Sequence, residues 1–291
     1  MELNFDSSER PVRDAASVVL LRDGAAGLEV FLVKRHGLSD VLGGVYVFPG
    51  GKVDAEDSAA ALQSRVDASP ESLRRLLGED ALDERGATAL FVAATREAFE
   101  ETGVLFAQSV TGFDAARAWR LLREGQAFDE VVTTLSARLQ ADALHPWSRW
   151  ITPAVGGVMR KRFDTRFFLA RLPDGQVAHH DEHEAVDSVW LTPREALERY
   201  WVRDIELAPP QIMSLAHLSR HADVASALAQ ARSRTPPLIQ PEHFEHDGTK
   251  VICYPGDERH SVCERALPGP TRLHYRKNRF EPEAGFEALF G

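Results

Sequence analysis

The sequence predicts an α/β or α+β protein folded as a layered sandwich, and three features indicate this. Two runs rich in β-branched and apolar residues, 15–21 and 28–34, are typical of neighbouring strands joined by a turn. An alanine-rich run at 87–102 contains neither Pro nor Gly and is typical of a helix. Further strand and helix signals follow that helix. Strands on both sides of a central helix, with more helices beyond them, favour a mixed sheet covered by helices.

Between the first strands and the alanine-rich helix, the chain contains a glycine turn and an insertion. A short predicted strand at 45–48 runs into Pro49-Gly50-Gly51, where the paired glycines permit close approach of the backbone to another element. From about residue 58 to 85 the sequence is polar and helical in character, with Pro70 at a predicted helix start. We interpret this segment as a helical insertion that stands off the core.

The second half of the chain continues the same alternation. After the central helix we predict a short strand at 104–107 and two amphipathic helices within 113–140. Three strands follow at 150–153, 165–171 and 186–191, and two more helical segments at 193–200 and 209–231. We place one domain at residues 12–205. Residues 206–291 are expected to form a helical or irregular extension packed on it.

Composition excludes several classes of protein. A net charge of −10 argues against a general nucleic-acid or membrane-surface binder. No run approaches the 18 or more apolar residues that a membrane span requires. The N-terminal residues show neither a basic region nor an apolar region typical of a secretory signal, so a cytoplasmic location is expected.

Three glutamates cluster on one edge of the predicted central helix. At about 100° per residue, Glu97, Glu100 and Glu101 fall within an arc of roughly 100°. Like charges at this spacing destabilise a helix, so something must compensate them. A divalent cation would do so, and a site of oxygen ligands without thiols suits Mg²⁺ or Mn²⁺. The alternative is a solvated acidic face in which Arg96 pairs with Glu100.

These residues amount to a recognisable motif. The chain resembles the Nudix hydrolases, whose box reads G-x5-E-x7-R-E-U-x-E-E-x-G-U, where U is a bulky aliphatic or small apolar residue. The first half begins at Gly51, but Asp57 occupies its glutamate position. The second half matches at every fixed position, namely Arg96, Glu97, Glu100, Glu101 and Gly103, with Val104 at the last place.

The box is interrupted in this chain. Asp57 and Arg96 are 39 positions apart (96 − 57) where the box expects eight, so 31 residues are inserted. The chain is therefore similar to an interrupted-box branch of the family that includes a coenzyme A diphosphatase. A second signature of such enzymes is matched in part by Arg35 and Gly44, whereas Asp40 replaces an arginine. The resemblance implies a Nudix-type α/β/α sandwich with a mixed sheet.

The resemblance also implies roles for particular residues. Glu97, Glu100 and Glu101 are expected to bind Mg²⁺ (or Mn²⁺), with Glu97 acting either as a ligand or as an orienting group. The carbonyl of Gly50 or Gly51 is expected to be a further ligand. Arg96 is expected to clamp an acidic loop residue such as Asp57. The remaining candidates are Glu184 as general base, with Glu182 as the near alternative, and Arg35, Arg162 and Arg166 for the substrate phosphates.

The implied activity is metal-dependent hydrolysis of a nucleoside diphosphate linked to another group. The resemblance favours coenzyme A or acyl-coenzyme A as the substrate. The alternatives are hydrolysis of ADP-ribose, NADH or dinucleoside polyphosphates, or a non-catalytic Nudix module that senses a nucleotide. The expected partner is thus a small nucleotide, with no nucleic acid and no membrane. The sequence leaves open whether the insertion caps the pocket or mediates a homodimer.

Overall fold

The computed structural model describes residues 12–37, 42–109, 114–153, 162–181 and 185–291. Within these ranges, no helix has the length and apolar character needed to cross a membrane. The predicted layered sandwich is confirmed, with a mixed sheet between two layers of helices.

Strands and helices alternate along the chain. The strands are β1 (Val12–Gly24), β2 (Gly27–Arg35), β3 (Tyr46–Val47), β4 (Gly50–Lys52), β5 (Ala107–Gln108), β6 (Arg138–Leu139), β7 (His145–Ile151), β8 (Arg162–Arg171), β9 (Ala185–Leu191), β10 (Leu238–Ile239), β11 (Glu242–His246), β12 (Thr249–Cys253), β13 (Arg272–Arg276) and β14 (Arg279–Glu281). The helices are α1 (Ala60–Gln63), α2 (Pro70–Leu77), α3 (Glu84–Thr102), α4 (Ala115–Arg123), α5 (Phe128–Thr134), α6 (Pro193–Trp201), α7 (Pro209–Leu218) and α8 (Val224–Arg232).

The strand β1 is central to the main sheet. Over the described residues this sheet follows the order β10-β7-β8-β1-β2-β3, with β4 also paired to β1 and β9 also paired to β2. Strands β1 and β8 run parallel, whereas β1 is antiparallel to β2 and to β4. The sheet is therefore mixed, and β1 lies between β4, which contains the two glycines of the turn, and β8, which carries Arg162 and Arg166.

Each face of the sheet covers its own hydrophobic core. Because side chains alternate along a strand, Val18 and Leu20 of β1 point into one core and Val19 and Leu21 into the other. The first core is closed by α3, with residues of α2, α4 and α5 around it. The second core is closed by α6, α7 and α8. The three layers place α3 flat against the sheet, where its charged edge is held in a fixed position.

The predicted helix start at Pro70 is confirmed, because α2 begins there and the Ser69 side chain accepts a hydrogen bond from the backbone N–H of Ser72 (3.2 Å). The prediction that the insertion stands off the core is wrong. Its apolar side chains belong to the first hydrophobic core and are almost fully buried, namely Leu62, Val66, Leu73 and Leu77. The insertion is part of the folded domain.

The C-terminal segment is more regular than predicted. Besides α7 and α8 it contains a four-stranded antiparallel sheet over the described residues, in the order β11-β12-β13-β14. Ile252, Leu273 and Phe280 of this sheet are buried in the second core together with α6 and α7. Residues on both sides of position 205 thus share one core.

The insertion is also tied to the sheet by buried charges. The Glu79 carboxylate, just after α2, accepts hydrogen bonds from Arg166 Nε (2.9 Å) and Nη2 (2.6 Å). It also pairs with Arg149 Nη1 at 2.9 Å. Arg149 in turn forms two hydrogen bonds to Asp164, at 2.8 and 2.6 Å. The side chain of Arg166 is only 4% exposed and also pairs with Asp14.

Replacing Glu79 with Gln should therefore lower the free energy of unfolding by about 3 kcal/mol, because it leaves two arginines beside a neutral side chain in a largely buried position. Urea-induced unfolding of the variant and of the unchanged protein measures this difference.

Glu71→Gln is the matched control, since it removes an ion pair with Arg75 in the same insertion where both side chains are more than 70% exposed. That change should cost less than about 0.5 kcal/mol. Equal effects of the two substitutions would contradict a stabilising role for the buried network.

Candidate active site

The helix α3 supplies the acidic edge of the site. Its N-terminus is capped by Asp83, whose side chain accepts a hydrogen bond from the N–H of Gly86 (2.7 Å). It ends at Gly103, which adopts a left-handed conformation (φ 73°) at the C-cap, as the sequence predicts. Phe91 and Phe99 are almost fully buried on its inner side. The glutamates near its C-terminal end are therefore presented from a rigid element.

The predicted clamp between Arg96 and Asp57 is present. Arg96 Nε and Nη2 donate to the two carboxylate oxygens of Asp57, at 2.8 and 2.9 Å. Asp57 lies in the 3₁₀ helix Ala55–Ser58 and is completely buried. Its carboxylate also accepts from the N–H of Asp54 (2.8 Å). A bidentate pair of this kind fixes the arginine in both position and orientation.

The same arginine also holds two of the glutamates. Arg96 Nη1 donates to Glu97 at 2.8 Å and to Glu100 at 2.9 Å. Burial by itself would lower the pKa of Arg96, but the hydrogen bond to Asp57 and the charges of Glu97, Asp57 and Glu100 raise it above its ordinary value. The pairing of Arg96 with Glu100, which the sequence offered as an alternative interpretation, thus coexists with the clamp.

Gly50 and Gly51 bring the backbone against the acidic helix. The N–H of Gly50 donates to a carboxylate oxygen of Glu101 at 2.9 Å. A Cβ atom on Gly51 would lie 2.5 Å from both carboxylate oxygens of Glu97, and one on Gly50 would lie 2.5 Å from the carbonyl oxygen of Ala16. Gly50 therefore has no room for a side chain, because its neighbours are backbone atoms, whereas a side chain at Gly51 would have to displace the Glu97 carboxylate.

Glu97, Glu101 and the glycine turn open onto a cavity of about 430 Å³. Its walls are mostly apolar and come from three parts of the chain. The first strands and the glycine turn contribute Arg13, Ala15, Ala16, Ser17, Arg35, Leu42, Val47, Phe48, Gly50, Gly51 and Lys52; β7, β8 and the residues after β7 contribute Trp150, Ile151, Thr152, Pro153, Phe163, Thr165 and Phe167; and the C-terminal segment contributes Ala208, Pro209, Pro210, Gln211, Pro241, His243, Ile252 and Phe280.

The predicted phosphate-binding arginines occupy different environments. Arg35 lines the cavity, and its Nε is buried without a hydrogen-bond partner in the described part of the chain. Arg162 does not line the cavity, and its Nε donates to the carbonyl oxygen of Thr152 (3.1 Å). Arg166 is buried in the ion pairs with Glu79 and does not line the cavity. The expected substrate contact of Arg166 is therefore replaced by a structural role.

Two further predictions concern Glu100 and Glu184. Glu100 is not part of the cavity lining, and its side chain is about one-third exposed (36%) at the outer edge of the helix. Glu184 and its alternative Glu182 lie outside the described residues. The general base thus stays a prediction from sequence.

The donor atoms fit a hard divalent cation. In the ranges that the structure describes, no three His, Cys, Asp or Glu side chains gather as a complete set of metal ligands. Glu97 and Glu101 nevertheless present carboxylates to the cavity beside the backbone of Gly50 and Gly51. Mg²⁺ commonly takes one or two protein carboxylates and completes its shell with water and substrate phosphate. The chemistry of the donors is thus appropriate for Mg²⁺ or Mn²⁺.

The sequence did not indicate the C-terminal wall of the cavity. Gln211 at the start of α7 is 5% exposed, and its Oε1 has no hydrogen-bond partner among the described residues. His243 in β11 has its pKa lowered by burial, which favours the neutral imidazole. A polar residue beside two prolines was the available signal for Gln211, but only the fold places it in the cavity.

Comparison with known proteins agrees with this geometry. Residues 12–218 match the family model of the NUDT19 Nudix domain. This chain belongs to the Nudix family. The Nudix match ends before the four-stranded C-terminal sheet, so that sheet lies outside the matched residues although it lines the cavity.

Two similar Nudix proteins have names that state an activity. The acyl-coenzyme A diphosphatase NUDT19 of Xenopus laevis is 29% identical over 240 residues, which cover 70% of this chain and 63% of that protein. Its human counterpart is 28% identical over 237 residues, which cover 69% of this chain and 63% of that protein. The chain thus spans less than two-thirds of the length of these relatives.

A solved Nudix structure supports the fold. The crystal structure of a NUDIX hydrolase from Alicyclobacillus acidocaldarius is 27% identical and superposes with a TM-score of 0.63. The match covers 76% of this chain and 97% of the other chain.

The Asp57–Arg96 clamp predicts a large effect on stability. Asp57→Asn removes the charge that pairs with a mostly buried guanidinium, so the free energy of unfolding should fall by about 3 kcal/mol in urea titrations. Glu56→Gln changes an exposed residue of the same 3₁₀ helix and should have an effect below about 0.5 kcal/mol. If Asp57→Asn were as mild as the control, the clamp would not hold the loop.

The close contact between Gly51 and Glu97 predicts a separate effect on metal affinity. Gly51→Ala should displace the flexible Glu97 carboxylate and weaken Mn²⁺ binding by about 10- to 100-fold in calorimetric titrations. The unfolding free energy should change little. Gly37→Ala is the control, because a Cβ there meets no atom within 4 Å. Unchanged Mn²⁺ affinity in Gly51→Ala would remove Glu97 from the metal site.

Proposed function

We propose that this chain is a metal-dependent Nudix diphosphatase that hydrolyses coenzyme A or acyl-coenzyme A. The observation that carries the proposal is the position of Glu97 and Glu101, which flank a glycine turn at the edge of a largely apolar cavity. A charged edge suits a diphosphate, and an apolar interior suits a long uncharged arm. The named activity of the Xenopus and human relatives favours the same substrate class.

The proposed ligands follow from the positions of the side chains. Glu97 and Glu101, with the carbonyl of Gly51, would hold Mg²⁺ or Mn²⁺ at the cavity edge, and Glu100 would complete the set from the outer side of α3. The ion, when bound, supplies a Lewis acid for the phosphate oxygens and lowers the pKa of water. Arg96 does not need to contact the substrate. Its role in the proposal is to hold Glu97 and Glu100 in position through hydrogen bonds.

Arg35 is the proposed phosphate-binding residue. A guanidinium Nε that lines a cavity without a partner in the described chain has an unused donor, and a phosphate oxygen is a strong acceptor for it. Arg162 is a weaker candidate, because its Nε already donates to Thr152. We retain Glu184 as the proposed general base. A cytoplasmic location and a homodimer also stay predictions.

We rank other substrates below coenzyme A because the cavity walls are mostly apolar. ADP-ribose, NADH and dinucleoside polyphosphates carry the same diphosphate, but their second halves are more polar than the cavity walls. A nucleotide-sensing module without catalysis is disfavoured, because all three glutamates in the second half of the motif are intact. The assay below includes each of these alternatives as an outcome.

We expect Mg²⁺-dependent release of the two phosphate-containing products from coenzyme A, and no release in EDTA. Glu101→Gln should lower kcat by at least about 100-fold, equivalent to about 2.7 kcal/mol of lost transition-state stabilisation. Glu84→Gln, an exposed residue in the first turn of the same helix, is the control and should keep full activity.

Substrate comparison completes this experiment. Parallel reactions with ADP-ribose, NADH and a dinucleoside polyphosphate identify the preferred leaving group. Preference for one of these would replace coenzyme A in the proposal. Undiminished turnover by Glu101→Gln would exclude the proposed site, and absence of turnover on every substrate would favour the nucleotide-sensing module.

A further inference from the structure

Gln211 has an unusual environment for a polar side chain. It is 5% exposed, it lines the cavity, and its Oε1 accepts no hydrogen bond from any described residue. Buried amide oxygens are almost always paired, because an unpaired one loses its hydration without compensation. Folding alone gives no reason to keep such a group on the cavity wall. A ligand that supplies the missing donor would give one.

The backbone around Gln211 is held firmly. The preceding residues are bound to β3, because the N–H of Tyr46 donates to the carbonyl oxygen of Glu206 (2.9 Å) and Tyr46 forms a bridge with Leu207. Pro209 and Pro210 begin α7 with fixed φ angles. Ile212 on the following position is fully buried. The amide of Gln211 is therefore carried on a preorganised element.

The chemistry of the missing partner is restricted. A carboxamide oxygen is an acceptor, so phosphate and carbonyl oxygens cannot satisfy it and only an N–H or O–H group can. The cavity lining contributed by its neighbour Pro210 and by Ile252 and Phe280 of the C-terminal sheet is apolar. His243, whose pKa is lowered by burial, adds no full charge at neutral pH. This wall suits an uncharged arm that is apolar over most of its length and carries isolated N–H groups.

We propose that Gln211 is a substrate-binding residue that accepts a hydrogen bond from an amide N–H in the uncharged arm of the substrate. The inference rests on the proposed diphosphatase function and adds to it the part of the chain that selects the leaving group. Coenzyme A has two secondary amides in its arm, whereas ADP-ribose shares the ADP half and has none. These two ligands therefore separate an arm contact from a contact to the adenine amino group.

Equilibrium binding without metal tests the contact. Calorimetric titration in EDTA gives Kd for reduced coenzyme A and for ADP-ribose, with unchanged protein and with Gln211→Leu. Leucine has a similar volume and lacks the acceptor. We expect Gln211→Leu to weaken coenzyme A binding by about 10- to 100-fold and ADP-ribose binding by less than about 2-fold.

Two further variants keep the test decisive. Gln211→Met, an unbranched side chain without the amide, should reproduce the loss if the leucine variant folds poorly. Gln108→Leu, at an exposed position in β5 outside the cavity lining, should leave both Kd values unchanged. Equal weakening of binding to both ligands would indicate a contact with the adenine amino group and overturn the arm contact. Unchanged affinity for coenzyme A would also overturn the arm contact.

Failure of the proposed function has a different signature. If the unchanged protein hydrolyses neither ligand with Mg²⁺ but binds coenzyme A in a Gln211-dependent manner, the diphosphatase proposal is overturned and the binding contact stands. If it hydrolyses coenzyme A with the same KM in Gln211→Leu, the function stands and the contact is overturned. If the unchanged protein binds neither ligand, the contact is overturned.

Discussion

The bidentate pair between Arg96 and Asp57 is the interaction on which the rest of the site depends. It joins a loop beside the glycine turn to the acidic end of α3 across 39 positions of sequence. The guanidinium then extends to Glu97 and Glu100, so the charges that would repel each other share one cation. Asp57 is completely buried, so this ion pair is shielded from water. One ion pair therefore fixes both halves of an interrupted motif.

The inserted segment destabilises the fold little, because its two ends lie close together. The entropic free-energy cost of closing a loop rises slowly with its length, by about 0.6 kcal/mol for each doubling of the number of residues. The inserted residues offset this cost with their own burial, through Leu73 and Leu77 in the first core and Glu79 in the ion pairs with Arg149 and Arg166. The insertion therefore stabilises the domain that it interrupts.

Sequence predicted the elements whose signals are local. The helix α3, its cap at Gly103 and the start of α2 at Pro70 follow from short motifs. The clamp between Arg96 and Asp57 spans 39 positions and was expected from the resemblance to the Nudix box. Distant pairings outside that motif were not predicted. Arg166 resembled a phosphate ligand because its partner Glu79 lies 87 positions away. The C-terminal sheet was missed because its strands, three to five residues long, are defined mainly by their pairing.

The origin of the cavity walls has an evolutionary consequence. Residues 12–218 match the Nudix family and contain the acidic edge, whereas His243, Ile252 and Phe280 come from the sheet beyond that match. Substitutions in that sheet can reshape the wall without moving the glutamates on α3. The acidic edge and one part of the cavity wall are thus encoded in separate stretches of one chain. Drift in the second stretch alters that part of the wall and leaves the acidic edge on α3 in place.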